Sequence, residues 1–329
     1  MKRLISTLCL LAVIGNLMAG SVDQQKAQKL GAKFLSTTAI GQKNADIQLH
    51  LVSAAVDLQR SATDYYVFNV TDGEGFVIVA GDDRVKPILA YSTTGKYDPS
   101  NVSEGFQFTL DAFRTGHFEV QDLASQCVGL VCAPKPGERW LDACAGGGGK
   151  TLELAEMMKR RGTVIAGDVR EGILHELKLR ARRAGFPNIS TLHHDGRVPR
   201  GFHPCDGVLV DAPCSGSGVW RRNPGSAWKF RLDELAEYAR RQYDILSRFS
   251  AAVKSGGVLV YATCSLFAAE NEEVVRRFLT AHPDFALESG VHPLTGLVSD
   301  GFYHFDGFDD DCDFLFAARL RRKFGDVKK

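Results

Sequence analysis

The sequence predicts an α/β chain in two parts, a small α+β unit followed by a doubly wound parallel sheet with helices on both faces. Three observations predict it. From about residue 105 onward, strand-like apolar runs alternate with long helical patterns. The first hundred residues instead carry one helical run followed by four strand-like runs. Four consecutive glycines, Gly146–Gly149, stand between a strand-like and a helical segment. A length of 329 residues accommodates two domains.

The elements follow in chain order. Residues 1–20 have the pattern of a secretory signal: Lys2 and Arg3, a mostly apolar run Leu4–Leu17, then small residues at Ala19, Gly20 and Ser21. A buried N-terminal helix is the alternative. The run is shorter than the ~20 residues of a spanning helix, so no stable membrane insertion is expected. Gln24–Leu35 has helical spacing. Ile47–Val52, Tyr65–Val70, Gly75–Val79 and Pro87–Tyr91 read as strands, with a hairpin turn at Asp72–Gly73. The second part places strands at Arg139–Ala145, Thr163–Asp168, Ile189–His194, Gly207–Asp211, Val258–Thr263 and Phe314–Leu320. Helices are expected at Thr151–Arg161, Glu171–Ala184, Asp233–Val253 and Glu270–Ala281. The junction falls within Ser103–Gly116, giving expected units of 1–20, 21–104 and 105–329.

Composition excludes several classes. With 44% apolar and 24% charged residues the chain is neither disordered nor collagen-like. Eight cysteines are too sparse for a disulfide scaffold. The net charge of +1 names no partner. Residues 150–254, however, hold 19 Lys/Arg against 12 Asp/Glu, which fits either a polyanion-binding surface or solvated helix faces.

The first strand of the second part ends in LDACAGGGGKT, Leu141–Thr151. Glycines there let the backbone turn with positive φ and approach a ligand closely, and the helix start that follows favours an electronegative group. The spacing is neither a Walker loop nor GxGxxG. Asp168 ends the second strand, where a carboxylate accepts both ribose hydroxyls of a nucleoside. Asp195 ends the third, in reach of an adenine edge. Singly, each is better read as a helix cap or turn residue. Together with the glycine loop, and with no Lys/Arg cluster for a pyrophosphate, they favour S-adenosylmethionine.

Two further strands each end in a cysteine: VDAPCSGSGVWRRNP carries Cys214 and LVYATCS carries Cys264. On adjacent strands, ~4.8 Å apart, both thiols would face one pocket. The alternatives are buried structural thiols or, in an exported chain, a disulfide. The chemistry that needs a thiol here is methylation of carbon 5 of cytosine. That carbon becomes nucleophilic once a thiolate has added to carbon 6. Such a thiolate needs a lowered pKa, which Lys150 and a sulfonium charge supply. Asp211 is placed to read the cytosine amine. Interleaved Trp220, Arg221, Arg222, Trp228, Lys229 and Arg231 suit stacking and phosphate contact with single-stranded RNA, or form an ordinary surface loop.

At these motifs residues ~105–323 resemble the RsmB/NOP/Sun family of RNA cytosine-5 methyltransferases. FEVQDLASQ, LDACAGGGGKT, AGDVRE, HHDGR, VDAPCSGSGVWRRNP, VKSGGVLVYATCS and FLFAARLRR occur in the family's order. The resemblance implies a Rossmann-like S-adenosylmethionine methyltransferase domain acting on RNA, with ribosomal RNA as substrate, in the cytoplasm. It implies Cys264 as nucleophile and Cys214 as the release thiol, with Lys150 and Asp211 beside them. Cys144, Ala145, Gly146, Gly147, Gly148, Gly149, Lys150, Asp168, Asp195 and Asp211 would bind the cofactor. Arg221, Arg222, Trp228 and Lys229 would contact RNA.

Two departures stand out. The family's Ala-Pro-Gly-Gly-Lys is Gly146–Lys150 here, and loss of the proline is expected to loosen the loop. Its closing Gly-Phe-Phe is replaced around Asp313–Phe316. The front end differs more. DYYVFNVTDGEGFVIVAGDDRVKPILAYSTTGKYDPSN resembles the propeptide of streptopain-type secreted cysteine peptidases, with no peptidase domain after it. A second expectation follows, from another class: an exported inhibitory module in residues 21–100, with the rest a passenger of a fusion. An export signal conflicts with cytoplasmic chemistry. His193 and His194 read as loop residues without metal-ligand spacing. The remaining cysteines form no CxxC pair, so no metal is expected.

Overall fold

A computed structural model of the chain describes residues 22–43, 46–57, 62–81, 88–100, 117–119, 121–221, 223–306 and 312–324. The signal-like segment, the expected junction and Arg222 lie outside the described residues.

In the first part, helix α1 (Gln24–Leu35) starts at Asp23, whose carboxylate accepts from the Lys26 amide at 2.8 Å. A short α2 (Ala39–Lys43) follows. Strands β1 (Leu49–Asp57), β2 (Ala62–Val70), β3 (Phe76–Ala80) and β4 (Ile88–Ser92) form an antiparallel sheet in that order. Ala27 and Leu35 pack on Phe68, Val77 and Val79 of one face. Val67 and Ile78 point to the other face and meet Tyr97. The Asp72–Gly73 turn is closed by the Val70 amide donating to the Gly75 carbonyl at 3.0 Å. β1 runs beyond its expected end at Val52. Irregularities at Leu51/Ser53 and Ala55/Val56 break the two-residue period by which a strand is read.

In the second part the strands are β5 (Arg139–Asp142), β6 (Thr163–Asp168), β7 (Ile189–His193), β8 (Cys205–Asp211), β9 (Val253–Thr263), β10 (Phe285–Leu287), a β11/β12 ribbon (Gly290–Val291 and Val298–Ser299), β13 (Phe302–Phe305) and β14 (Leu315–Arg322). The large sheet has the order β10-β14-β9-β8-β5-β6-β7, with β13 also on β14. β5 to β9 are mutually parallel, and β14 is antiparallel to β9. Helices α3 (Leu123–Cys132), α4 (Gly149–Met157), α5 (Glu171–Arg183), α6 (Pro224–Ala227), α7 (Leu235–Ser250) and α8 (Glu272–Ala281) complete it. Strands covered on both faces need no polar alternation, which is why β8 and β9 read as continuous apolar runs. One core joins Leu141, Val208 and Leu259 to Leu246 and Phe278. The other joins Trp140, Val164 and Val260 to Val128 and Leu154.

α3 was present in the sequence only as the FEVQDLASQ motif. Asp122 caps it, accepting from the Ala124 amide at 3.0 Å, and its buried Cys127, Val128 and Val131 close the sheet face. The first strand, β5, lies between β6 and β8, so strand order reverses there. The carboxyl ends around such a reversal form a crevice.

Candidate active site

The glycine loop leaves β5 at that crevice. Gly146 and Gly148 have φ of +51° and +87°. Gly148 caps α4, and a Cβ there would lie 2.5 Å from the Leu177 side chain. Only glycine satisfies both demands. Gly147 stands where the family places proline, and its carbonyl accepts from the guanidinium of Arg180. Arg180 is buried and also pairs with Glu119 at 3.1 Å. A side-chain tether therefore holds the loop that the missing proline was expected to loosen. Arg180 and Arg183 in turn hold Glu119 below the usual carboxylate range, against the upward pull of its burial.

A cleft of about 480 Å³ opens beside the loop, within the ~300–1,000 Å³ of small-molecule sites. Cys144, Asp168 and Asp211 line it, with Val169, Ile245 and Phe249 as apolar walls. Asp168 accepts from the Gly146 amide at 3.0 Å and from the Arg170 amide at 2.9 Å. Arg170 also closes on both its oxygens. Burial pulls Asp168 upward, but these donors hold it below the ordinary carboxylate range. Burial pushes the Cys144 thiol up, and the surrounding carboxylates add to that.

His194, read from sequence as a loop residue, is buried and lines the cleft. Its Nδ1 faces the Gly196 amide at 3.1 Å and its Nε2 faces the Ala143 carbonyl at 3.0 Å. An amide only donates and a carbonyl only accepts, so the ring is neutral with its proton on Nε2. Its ring packs on Phe249 at 4.9 Å. Asp195 is exposed and is not among the cleft-lining residues, although His194 and Gly196 on either side of it are.

On the other side of Asp211 stand the two cysteines. β8 and β9 are hydrogen-bonded neighbours, and Asp211 pairs in register with Ala262. Cys214 and Cys264 leave these two strand ends with their Sγ atoms 3.3 Å apart. Lys150, the first charged residue after the glycine loop, donates to Asp211 Oδ2 at 2.8 Å. Burial disfavours the ammonium, but Asp211 outweighs it and the Lys150 pKa rises, with Asp142 and Cys264 adding to the rise. The hydrogen bond to Cys264 and burial raise Cys214 well above the normal thiol range. The Lys150–Asp211 pair and the thiol pair stand at the neighbouring ends of β8 and β9, whereas Lys150, Cys214, Cys264 and Gly146–Gly149 are not among the residues lining the cleft.

Other residues enter that sequence reading missed. Glu270 is fully buried and bonds the segments after both cysteines. Gln242 on α7 donates to it at 2.7 Å. The acidic run ENEE gave Glu270 the look of a surface helix start. A buried Asp142 behind the loop, bonded by the Thr151 hydroxyl at 2.7 Å, is pushed up by burial to about 7.

Beyond Cys214 the chain builds an aromatic face. Phe230 stacks on Phe267 at 5.3 Å, and Trp220 packs on both. Trp228 is 90% exposed, and Arg221 and Lys229 are also exposed. Arg231 pairs with Asp233 at 2.8 Å. Among the described residues no group of three His, Cys, Asp or Glu could hold a metal ion, and no helix is long and apolar enough to cross a membrane.

A reversed parallel sheet, a glycine bend on its first strand and an acid on its second define the Rossmann-like methyltransferase class. The sequence profile of the 16S rRNA methyltransferase RsmB/F family matches residues 129–320, more than half of the chain, and the chain belongs to that family. It is 40% identical over 219 residues to the probable ribosomal RNA small subunit methyltransferase B of Bacillus subtilis, covering 64% of this chain and 49% of the relative. It is 35% identical over 217 residues to ribosomal RNA small subunit methyltransferase B of Klebsiella pneumoniae, covering 65% and 49%. The chain thus spans about half the length of these curated relatives. NSun6 from Pyrococcus horikoshii, solved with SFG, superposes with a TM-score of 0.58 at 27% identity, over 76% of this chain and 64% of that one. A methyltransferase homolog protein from the same organism gives 0.55 at 27% identity, over 72% and 74%. Residues 19–116 match the Spi protease inhibitor family, in agreement with the propeptide-like reading.

Proposed function

We propose that residues 105–329 methylate carbon 5 of cytosine in RNA, the small-subunit ribosomal RNA of its relatives, through a covalent cysteine adduct. The observation that carries this reading is the pair of thiols 3.3 Å apart beside the Lys150–Asp211 ion pair. The residues present fit S-adenosylmethionine. Asp168 offers a carboxylate to a ribose diol, Val169, Ile245 and Phe249 offer apolar walls, and Asp168 and Asp211 give the cleft an acidic lining suited to a cationic ligand. The complex of NSun6 with SFG, an S-adenosylmethionine analogue, supports the same reading. When bound, the cofactor supplies an electrophilic methyl group.

Cys264 acts as the nucleophile. Its thiolate bonds to carbon 6 of cytosine, and the electron pair of the 5,6 double bond moves to make carbon 5 nucleophilic. Lys150, whose ammonium lies within electrostatic reach of Cys264, favours the thiolate. Asp211 accepts from the exocyclic amine and, bonded by Lys150, is fixed in place. After methylation carbon 5 gives its proton to a solvent water, the electron pair of that C–H bond restores the 5,6 double bond, and the bond from carbon 6 to Cys264 breaks with its electron pair returning to sulfur. Cys214, kept as a neutral thiol, is the partner for this release. Trp228, Lys229, Arg221 and Arg222 receive the flanking nucleotides, and the target base is unstacked against the thiol pair. Gly146–Gly149 border the cofactor's surroundings, and the exposed Asp195 stays outside them.

Transfer of a labelled methyl group from S-adenosylmethionine to total RNA, followed by nucleoside analysis, tests the class. Labelled 5-methylcytidine is expected, and its absence refutes it. This chemistry belongs to the cytoplasm, whereas residues 1–20 read as an export signal.

The match of residues 19–116 to the Spi protease inhibitor family favours a second reading for the first part, as an inhibitory module for a secreted cysteine peptidase. Incubation of the full chain with such a peptidase checks it. Undiminished peptidase activity at equimolar chain rejects it.

A further inference from the structure

Glu270 takes no part in the mechanism above, yet it is the most fully engaged buried carboxylate beside the thiols. Its Oε1 accepts from the Ser215 amide at 2.9 Å and the Gln242 side-chain amide at 2.7 Å. Its Oε2 accepts from the hydroxyls of Ser215 and Ser265, each at 2.5 Å. The two amide groups can only donate, so Oε1 accepts from both. No ion pair neutralises it among the described residues. Ser215 follows Cys214 and Ser265 follows Cys264. One carboxylate therefore grips the residue after each thiol, on loops from two different strands. Tyr261 donates to the Glu270 carbonyl at 2.5 Å and fixes the backbone that carries the grip.

The charges around the thiols are arranged unequally. Glu270 makes two of its bonds to Ser215, beside Cys214, and one to Ser265, beside Cys264; the bond to Cys264 and burial raise Cys214 and Glu270 adds to that, whereas the Lys150 ammonium interacts with Cys264. Two sulfurs 3.3 Å apart compete for one role, and a fixed charge on each side is a direct way to distinguish them. We propose that Glu270 is a positioning residue that holds both cysteine loops in register and, by its negative charge on the Cys214 side, leaves Cys264 as the reactive thiol. This rests on the nucleophile assignment made above.

The test is site-resolved alkylation of the full chain by iodoacetamide at about pH 8, followed by peptide mass spectrometry, without cofactor or RNA. In the wild type, Cys264 should be modified at least ~10-fold faster than Cys214, equivalent to one pKa unit of separation. In Glu270→Gln the amide oxygen can serve the two donors on Oε1, and the serine hydroxyls can turn to accept from its NH2. The grip is then kept while the charge is lost, and the rate ratio should fall at least ~5-fold. Glu270→Asp keeps the charge at the cost of shorter reach, and its ratio should stay within ~3-fold of the wild type. Equal loss in both variants would reduce Glu270 to packing. An unchanged ratio in Glu270→Gln, or a collapsed ratio in Glu270→Asp, overturns the proposal, and the aspartate variant alone decides it if the glutamine variant does not fold. Methyl transfer to RNA is scored separately, so failure of the enzymatic reading and failure of this one are distinguishable.

Discussion

Arg170 closes its guanidinium across both oxygens of Asp168, with Nε 2.9 Å from Oδ1 and Nη2 3.0 Å from Oδ2. Two backbone amides already occupy the same carboxylate, so its acceptor sites are filled. A ribose diol must displace the fork. Arg170 is largely exposed, so the fork holds on by only ~1 kcal/mol. Arg170→Ala is expected to bind S-adenosylhomocysteine about three- to tenfold more tightly in calorimetry. Asp168→Ala should lose at least ~10-fold. Weaker binding by Arg170→Ala would make the arginine a ligand of the cofactor.

The two thiols predict opposite phenotypes. Cys264→Ala should form no 5-methylcytidine and no adduct. Cys214→Ala should accumulate a protein–RNA adduct that survives denaturing electrophoresis. Normal methylation by Cys264→Ala would show that the roles are wrongly assigned.

Asp142 predicts a pH-dependent stability. Burial holds its carboxyl up at about 7, against ~3.9 in an unfolded chain. The folded form binds the proton more tightly, so this contribution is complete below about pH 4 and is lost as pH rises towards and through 7. The slope for one proton is ~1.4 kcal/mol per pH unit. Glu153, pushed up to about 8 by burial, adds a loss of the same sign. Asp142→Asn keeps an acceptor for Thr151 and removes one proton from this slope. Urea midpoints from pH 5 to 8 should therefore fall less steeply in the variant than in the wild type, and parallel curves would contradict the burial argument.

The exposed Trp228 and Lys229 test the proposed RNA contact. Trp228→Ala should weaken single-stranded RNA binding by ~1–3 kcal/mol at any salt concentration, through lost stacking. Lys229→Ala should instead lower the salt slope by about 0.7. Unchanged affinity and slope in both variants would leave this face an ordinary surface loop.

Much of the site was legible in the sequence because its parts are local. A glycine run after an apolar strand, an acid at a strand end and a cysteine past each of two strands are all short-range patterns. Their assembly needed only the parallel order that alternating strands and helices impose. What was illegible depends on distant partners. His194 becomes part of the cleft only because Phe249 of α7 covers it. Glu270 is set apart from its acidic neighbours only by serines about 5 and 55 positions away. Arg170 looks like one basic residue among many until its fork is seen on Asp168. The short strands β10 to β13 carry too few residues to show a period.

β14 lies along β9 from Arg321 opposite Val258 to Phe316 opposite Thr263, so the strand that delivers Cys264 is an interior one. Without that cover, the uncharged stretch VLVYAT would present an open rim of amides and carbonyls to any other chain. Proteins cut short before residue 315 are expected to precipitate with Cys264 chemically intact, lost to self-association before its chemistry can be assayed.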